Sequence, residues 1–103
     1  MKIIIDECVP GIVKKELPSY NIVTVQEMGW SGIQNGKLLR LVASDFDVFL
    51  TSDKNLRHQQ NLPSFDLAVI LLPSNQVLVI KALLPKIEEA INNIDPNEFI
   101  ELE

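Results

Sequence analysis

Residues 67–72 read Leu-Ala-Val-Ile-Leu-Leu, six apolar side chains in a row with no polar alternation. A strand with one wet face alternates apolar and polar residues. A run that does not alternate must be covered on both faces, which is the situation of a strand inside a parallel sheet flanked by helices. Residues 66–72 therefore predict an interior strand, and that expectation constrains the rest of the chain. Residues 2–6, 21–25 and 47–52 are short and rich in β-branched side chains, and each predicts a further strand. Residues 98–103, with Phe99, Ile100 and Leu102 set among glutamates, predict a fifth strand at a sheet edge.

The intervening segments carry helical spacing. Ile12, Val13 and Leu17 follow Pro10, and proline suits a first helical turn because its missing N–H costs nothing there. Leu38, Leu39, Leu41, Val42 and Phe46 follow Asn35, an expected N-cap. Residues 54–60 predict a short helix. Val77, Val79, Ile80, Leu83, Leu84, Ile87 and Ile91 define the longest one, started by Ser74 or Asn75 and kinked or restarted at Pro85. Strands alternating with helices imply an α/β fold with a mainly parallel sheet, right-handed crossovers and helices on both faces. The expectation is a single three-layer α/β/α domain spanning residues 1–103, with strand order 2-1-3-4-5.

Composition narrows the function classes. The apolar fraction of 47% excludes a disordered chain. Asp6 and Glu7 interrupt the N-terminal apolar run too early for a secretory signal, and a six-residue apolar run is too short for a membrane span. Cys8 is the sole cysteine, which fits a cytoplasmic protein and predicts a buried structural thiol. The net charge of −5 argues at first against nucleic acid, but residues 88–103 hold six acidic and no basic residues, whereas residues 1–87 carry nine basic and eight acidic ones. The acidity belongs to the C-terminal end. RNA can approach the remainder, with weak and salt-sensitive binding unless a partner supplies positive charge.

In an open sheet of order 2-1-3-4-5, ligands bind beyond the carboxyl ends of the strands, where the order reverses between the first and third. The first strand ends in Ile5-Asp6-Glu7 and the third in Thr51-Ser52-Asp53. Two or three carboxylates meeting in one crevice call for compensation, and a hard divalent cation with oxygen ligands provides it. The plainer expectation is that Asp6 and Asp53 cap the N-termini of the helices that follow them. His58 is read first as a solvated side chain and Trp30 as packing over the sheet edge, ahead of contacts with RNA phosphate or a base.

Three segments together resemble the short bacterial PIN-like proteins: Lys2-Ile3-Ile4-Ile5-Asp6-Glu7 with Pro10, Val23-Thr24-Val25 leading into Met28-Gly29-Trp30-Ser31-Gly32, and Phe49-Leu50-Thr51-Ser52-Asp53-Lys54-Asn55-Leu56. The resemblance implies a ribonuclease dependent on Mg²⁺ or Mn²⁺, often the toxin of a toxin-antitoxin pair. Asp6 would be the first-strand metal ligand, Asp53 the ligand of the threonine-x-aspartate motif, and Thr51 a supporting hydrogen-bond partner in the substrate site. Asn35 and Asn55 stand where the family commonly has aspartates, keeping an oxygen but losing a charge. With Glu7 they form a second rank of ligands or catalytic groups, and Lys54, Arg57 and His58 are the expected contacts to substrate phosphate. The implied partners are RNA, an antitoxin protein or a second copy of the chain, and no membrane. Two other classes remain open: a PIN-like binding module for RNA or a protein, without catalysis, and a phosphoryl-receiver domain built on Asp6, Glu7, Asp53 and Ser74.

Overall fold

The computed structural model describes residues 1–58 and 66–103, with the side chains of Arg57 and His58 outside that description. In chain order the elements are β1 (Lys2–Ile5), α1 (Ile12–Glu16), β2 (Asn21–Thr24), α2 (Asn35–Asp45), β3 (Val48–Thr51), a 3-10 turn (Lys54–His58), β4 (Ala68–Leu71), α3 (Val77–Asn93) and β5 (Phe99–Glu101). The strands form one all-parallel sheet in the order β2-β1-β3-β4-β5. This is the expected α/β architecture and strand order, and all four residues of β4 are buried, as its unbroken apolar run requires.

Side chains alternate between the two faces of each strand, and two separate cores result. Ile3, Ile5, Val48, Leu50, Ala68 and Ile70 point to one face and pack beneath Val13 and Leu17, contributed by α1 and its C-cap, and Ile80, Ile87 and Ile91 of α3. Ile4, Phe49 and Val69 point to the other, beneath Leu38, Leu39 and Val42 of α2 and Leu56 of the 3-10 turn. Trp30 joins the second core with its ring edge-on to Phe46, centroids 6.2 Å apart, as its expected packing role requires. The Tyr20 hydroxyl donates to Asn92 Oδ1 at 2.6 Å and ties the start of β2 to α3.

The expectation of uniform crossover handedness fails at one connection. The steps from β1 to β2 and from β4 to β5 run in opposite directions across the sheet, yet α1 and α3 lie on the same face. Those two crossovers therefore have opposite hands. The connection through α2 steps the other way on the other face, so it shares the hand of the first. The cause is coverage. With α2 and the 3-10 turn on one face, α3 is the remaining described helix able to cover Val48, Leu50, Ala68 and Ile70, and burying that surface outweighs the usual preference.

Helix boundaries also differ in detail. Asn35 is the first residue of α2, with Gln34 as its N-cap, and Gln76 rather than Ser74 or Asn75 caps α3. Pro85 lies inside an unbroken α3. It lacks only one backbone donor, and the buried stripe of Ile80, Ile87, Ala90 and Ile91 holds the helix on either side. The segment 54–60 forms a 3-10 turn as far as His58, and its last two positions fall outside the described residues.

Candidate functional site

Asp6 and Thr51 each follow the last paired rung of β1 and β3, Ile5 opposite Leu50. The ladder continues one step, with the Asp6 amide donating to the Leu50 carbonyl at 2.9 Å. By alternation Asp6 falls on the same face as Ile4, and Thr51 on the same face as Phe49. The two side chains meet there: the Thr51 hydroxyl donates to Asp6 Oδ2 at 2.8 Å. Thr51 is fully buried and Asp6 only 7% exposed, and these are the buried polar side chains among the described residues. The same Thr51 oxygen accepts the Asp53 amide hydrogen at 3.1 Å. One hydroxyl thus couples the two aspartates named from the sequence, and Thr51 reaches substrate only through them.

Each aspartate also has local work. Asp6 Oδ1 accepts the Glu7 amide hydrogen at 2.8 Å, while Asp53 Oδ1 accepts that of Asn55 at 3.0 Å and so caps the 3-10 turn. The capping expectation is therefore met at Asp53, whose Oδ2 is still turned to the start of α2, where Asn35 Nδ2 donates to it at 2.8 Å. Asn35 offers Asp53 an N–H donor, and its amide serves this contact instead of an N-cap. Asn55 and Lys54 are exposed on the turn beyond Asp53. Glu7 Oε1 accepts the Gly32 amide hydrogen at 3.2 Å, and Gly32 holds a positive φ of 80°. That conformation suits glycine and aims the loop amide back at the carboxylate.

Asp6, Glu7, Asn35 and Asp53 line one cleft of about 310 Å³ at the carboxyl ends of the strands. Residues not placed in the site from the sequence line it too: Cys8, Ile33, Leu38, Ser52 and Asn75. Cys8 is half-buried rather than enclosed. Its Sγ accepts the Ser52 hydroxyl at 3.1 Å and lies 3.6 Å from Asp6 Oδ2. Asn75 comes from the loop after β4, so three strand ends contribute to the cleft. Ser74 Oγ accepts the Gln76 amide hydrogen at 3.0 Å and shapes that loop.

The donor set suits a hard cation in kind. Magnesium commonly takes one or two carboxylates and keeps several waters, and the Asp6 and Asp53 carboxylates supply oxygen ligands with lone pairs beyond those used in hydrogen bonds. Among the described residues no group of three or more His, Cys, Asp or Glu side chains is gathered tightly enough to hold a metal ion by itself, so waters would complete the shell. No helix among the described residues is long and apolar enough to cross a membrane. Compared with protein-family models, with curated proteins and with solved structures, the chain matches none. The likeness of its motifs to PIN-like proteins rests on its residues alone.

Proposed function

We propose that the chain is a PIN-like ribonuclease that hydrolyses RNA phosphodiesters with Mg²⁺ or Mn²⁺, in the cytoplasm, as the toxin of a toxin-antitoxin pair. The observation that carries the reading is the Thr51 bridge, which couples Asp6 at the end of β1 to Asp53 beyond β3 at the mouth of one cleft. Asp6 and Asp53 would hold the cation. A cation held there would supply Lewis acidity toward a phosphoryl oxygen and toward water. Glu7 has one carboxylate oxygen fixed by Gly32 and the other available to take a proton from the attacking water. Lys54 and Arg57 follow Asp53 in the sequence and would supply positive charge for the substrate phosphate.

A second reading has its own support. Asn35 presents an N–H to Asp53 where a carboxylate would strengthen the cation site, and this favours a module that binds RNA or a protein without cutting it. Cleavage of single-stranded RNA by the pure protein, with and without Mg²⁺ or Mn²⁺, separates the two. The ribonuclease reading expects metal-dependent cleavage that falls to background in both Asp6→Asn and Asp53→Asn. Cleavage that persists in both variants removes the metal site, and binding without cleavage in either metal favours the module.

A further inference from the structure

Asn75 lines the acidic cleft, and its side chain makes no hydrogen bond among the described residues. The other polar side chains there are engaged: Asp6 with Thr51, Glu7 with Gly32, Ser52 with Cys8, and Asn35 with Asp53. The loop beneath Asn75 is fixed from both ends. Leu72 donates its amide hydrogen to the Thr51 carbonyl at 2.7 Å, and Ser74 Oγ holds the Gln76 amide at 3.0 Å. A residue with a neutral amide thus lines the cleft from a third strand end, on the β4 side of two strand ends that carry carboxylates.

We infer that Asn75 binds the substrate, donating from its amide nitrogen to a non-bridging phosphate oxygen of single-stranded RNA. The inference rests on the ribonuclease or RNA-binding reading of the same cleft. Charge decides the assignment. Asp6, Glu7 and Asp53 repel a phosphodiester wherever a cation does not intervene, so the nucleotide next to the scissile one needs a neutral or positive donor. Asn35 has given its N–H to Asp53, whereas Asn75 has both of its N–H groups available. Asn75 is exposed, so its replacement leaves no buried group without a partner.

The test measures binding first and turnover second. A short fluorescein-labelled single-stranded RNA of mixed sequence is titrated with the protein in Mg²⁺, and cleavage is followed with the same probe. Loss of one hydrogen bond to a charged acceptor corresponds to about a tenfold change in affinity. Asn75→Ala is expected to raise Kd, and KM where the probe is cut, about tenfold while kcat stays within about twofold. Asn75→Asp should bind more weakly still, and its deficit relative to Asn75→Ala should shrink as salt is raised, because a repulsive charge is screened. Wild-type binding with an unchanged Kd in both variants overturns the role of Asn75 and leaves the function of the cleft intact. Failure of the wild-type protein to bind or cut the probe overturns the RNA reading and this inference together.

Discussion

The Thr51 hydroxyl stands 2.8 Å from Asp6 Oδ2, fully buried, and joins two residues 45 positions apart in sequence. Because the same oxygen accepts the Asp53 amide hydrogen, the geometry of both aspartates depends on a single side chain. Thr51→Val keeps the shape and removes the hydroxyl. It leaves a nearly buried carboxylate and an amide short of a partner, and should destabilise the fold by about 2–3 kcal/mol. Thr51→Ser, which restores the oxygen, should recover most of that loss. Urea denaturation of the three proteins measures it, and a Val variant as stable as wild type would contradict the bridge.

The opposite hand of the last crossover makes α3 the cover for a sheet face. Ile87 is fully buried on that helix, while Leu78, on the opposite side of it, is 81% exposed. Ile87→Ala should cost about 2–5 kcal/mol through lost burial and the cavity left behind. Leu78→Ala should change stability by less than about 0.5 kcal/mol. Equal effects in thermal unfolding would mean that α3 does not cover the face formed by Leu50 and Ile70.

Glu27 shows how a surface carboxylate becomes pH-sensitive. Lys14 Nζ donates to both of its oxygens at 2.7 and 2.8 Å, and the Thr24 amide adds a bond of 2.9 Å. The Lys14 contact first, and the Thr24 amide second, hold its carboxyl below the ordinary range. A folded-state value lower than the unfolded one means that the unfolded chain takes up protons first as acid is added. The stabilisation is therefore present above the ordinary carboxylate range and is lost as pH falls through the folded value. Glu27→Gln should lower stability slightly at neutral pH and flatten its dependence between about pH 5 and pH 3. Denaturation midpoints across that interval measure the slope, and a variant with the wild-type slope would contradict the assignment.

What the residues announced in advance was whatever depends on short range. The unbroken run ending at Leu72 and the β-branched runs around Ile4 and Phe49 specify buried parallel strands, because only a two-faced environment accommodates them. Asp6 and Asp53 followed from strand order, since both lie one or two residues beyond the last paired rung. The hand of the connection through α3 was not legible, because it depends on which face the rest of the chain leaves bare. Nor was the use of Asn35: its spacing suits a cap, and only the tertiary approach of Asp53 diverts its amide. Asn75 reads in sequence as a helix start, and only the course of the loop between β4 and the Gln76 cap brings it to the cleft.

The Asn35–Asp53 contact yields the sharpest prediction about the cation. Asn35→Asp replaces an N–H donor with a second carboxylate at the 2.8 Å contact with Asp53. Without a divalent cation the two carboxylates repel, and the variant should be less stable than wild type by about 1–3 kcal/mol at neutral pH. With a cation the sign should reverse if Asp6 and Asp53 hold it as proposed, because an added carboxylate would strengthen such a hard-metal site. Any ligand that binds the folded state alone raises its apparent stability with the logarithm of ligand concentration. Titration of Mg²⁺ against the thermal midpoint should therefore give a steeper rise in the variant and an earlier onset. Asn35→Ala, which loses the hydrogen bond without adding charge, should show the destabilisation and none of the added Mg²⁺ response. If Mg²⁺ moves the midpoints of all three proteins equally, Asp53 does not take part in holding the cation.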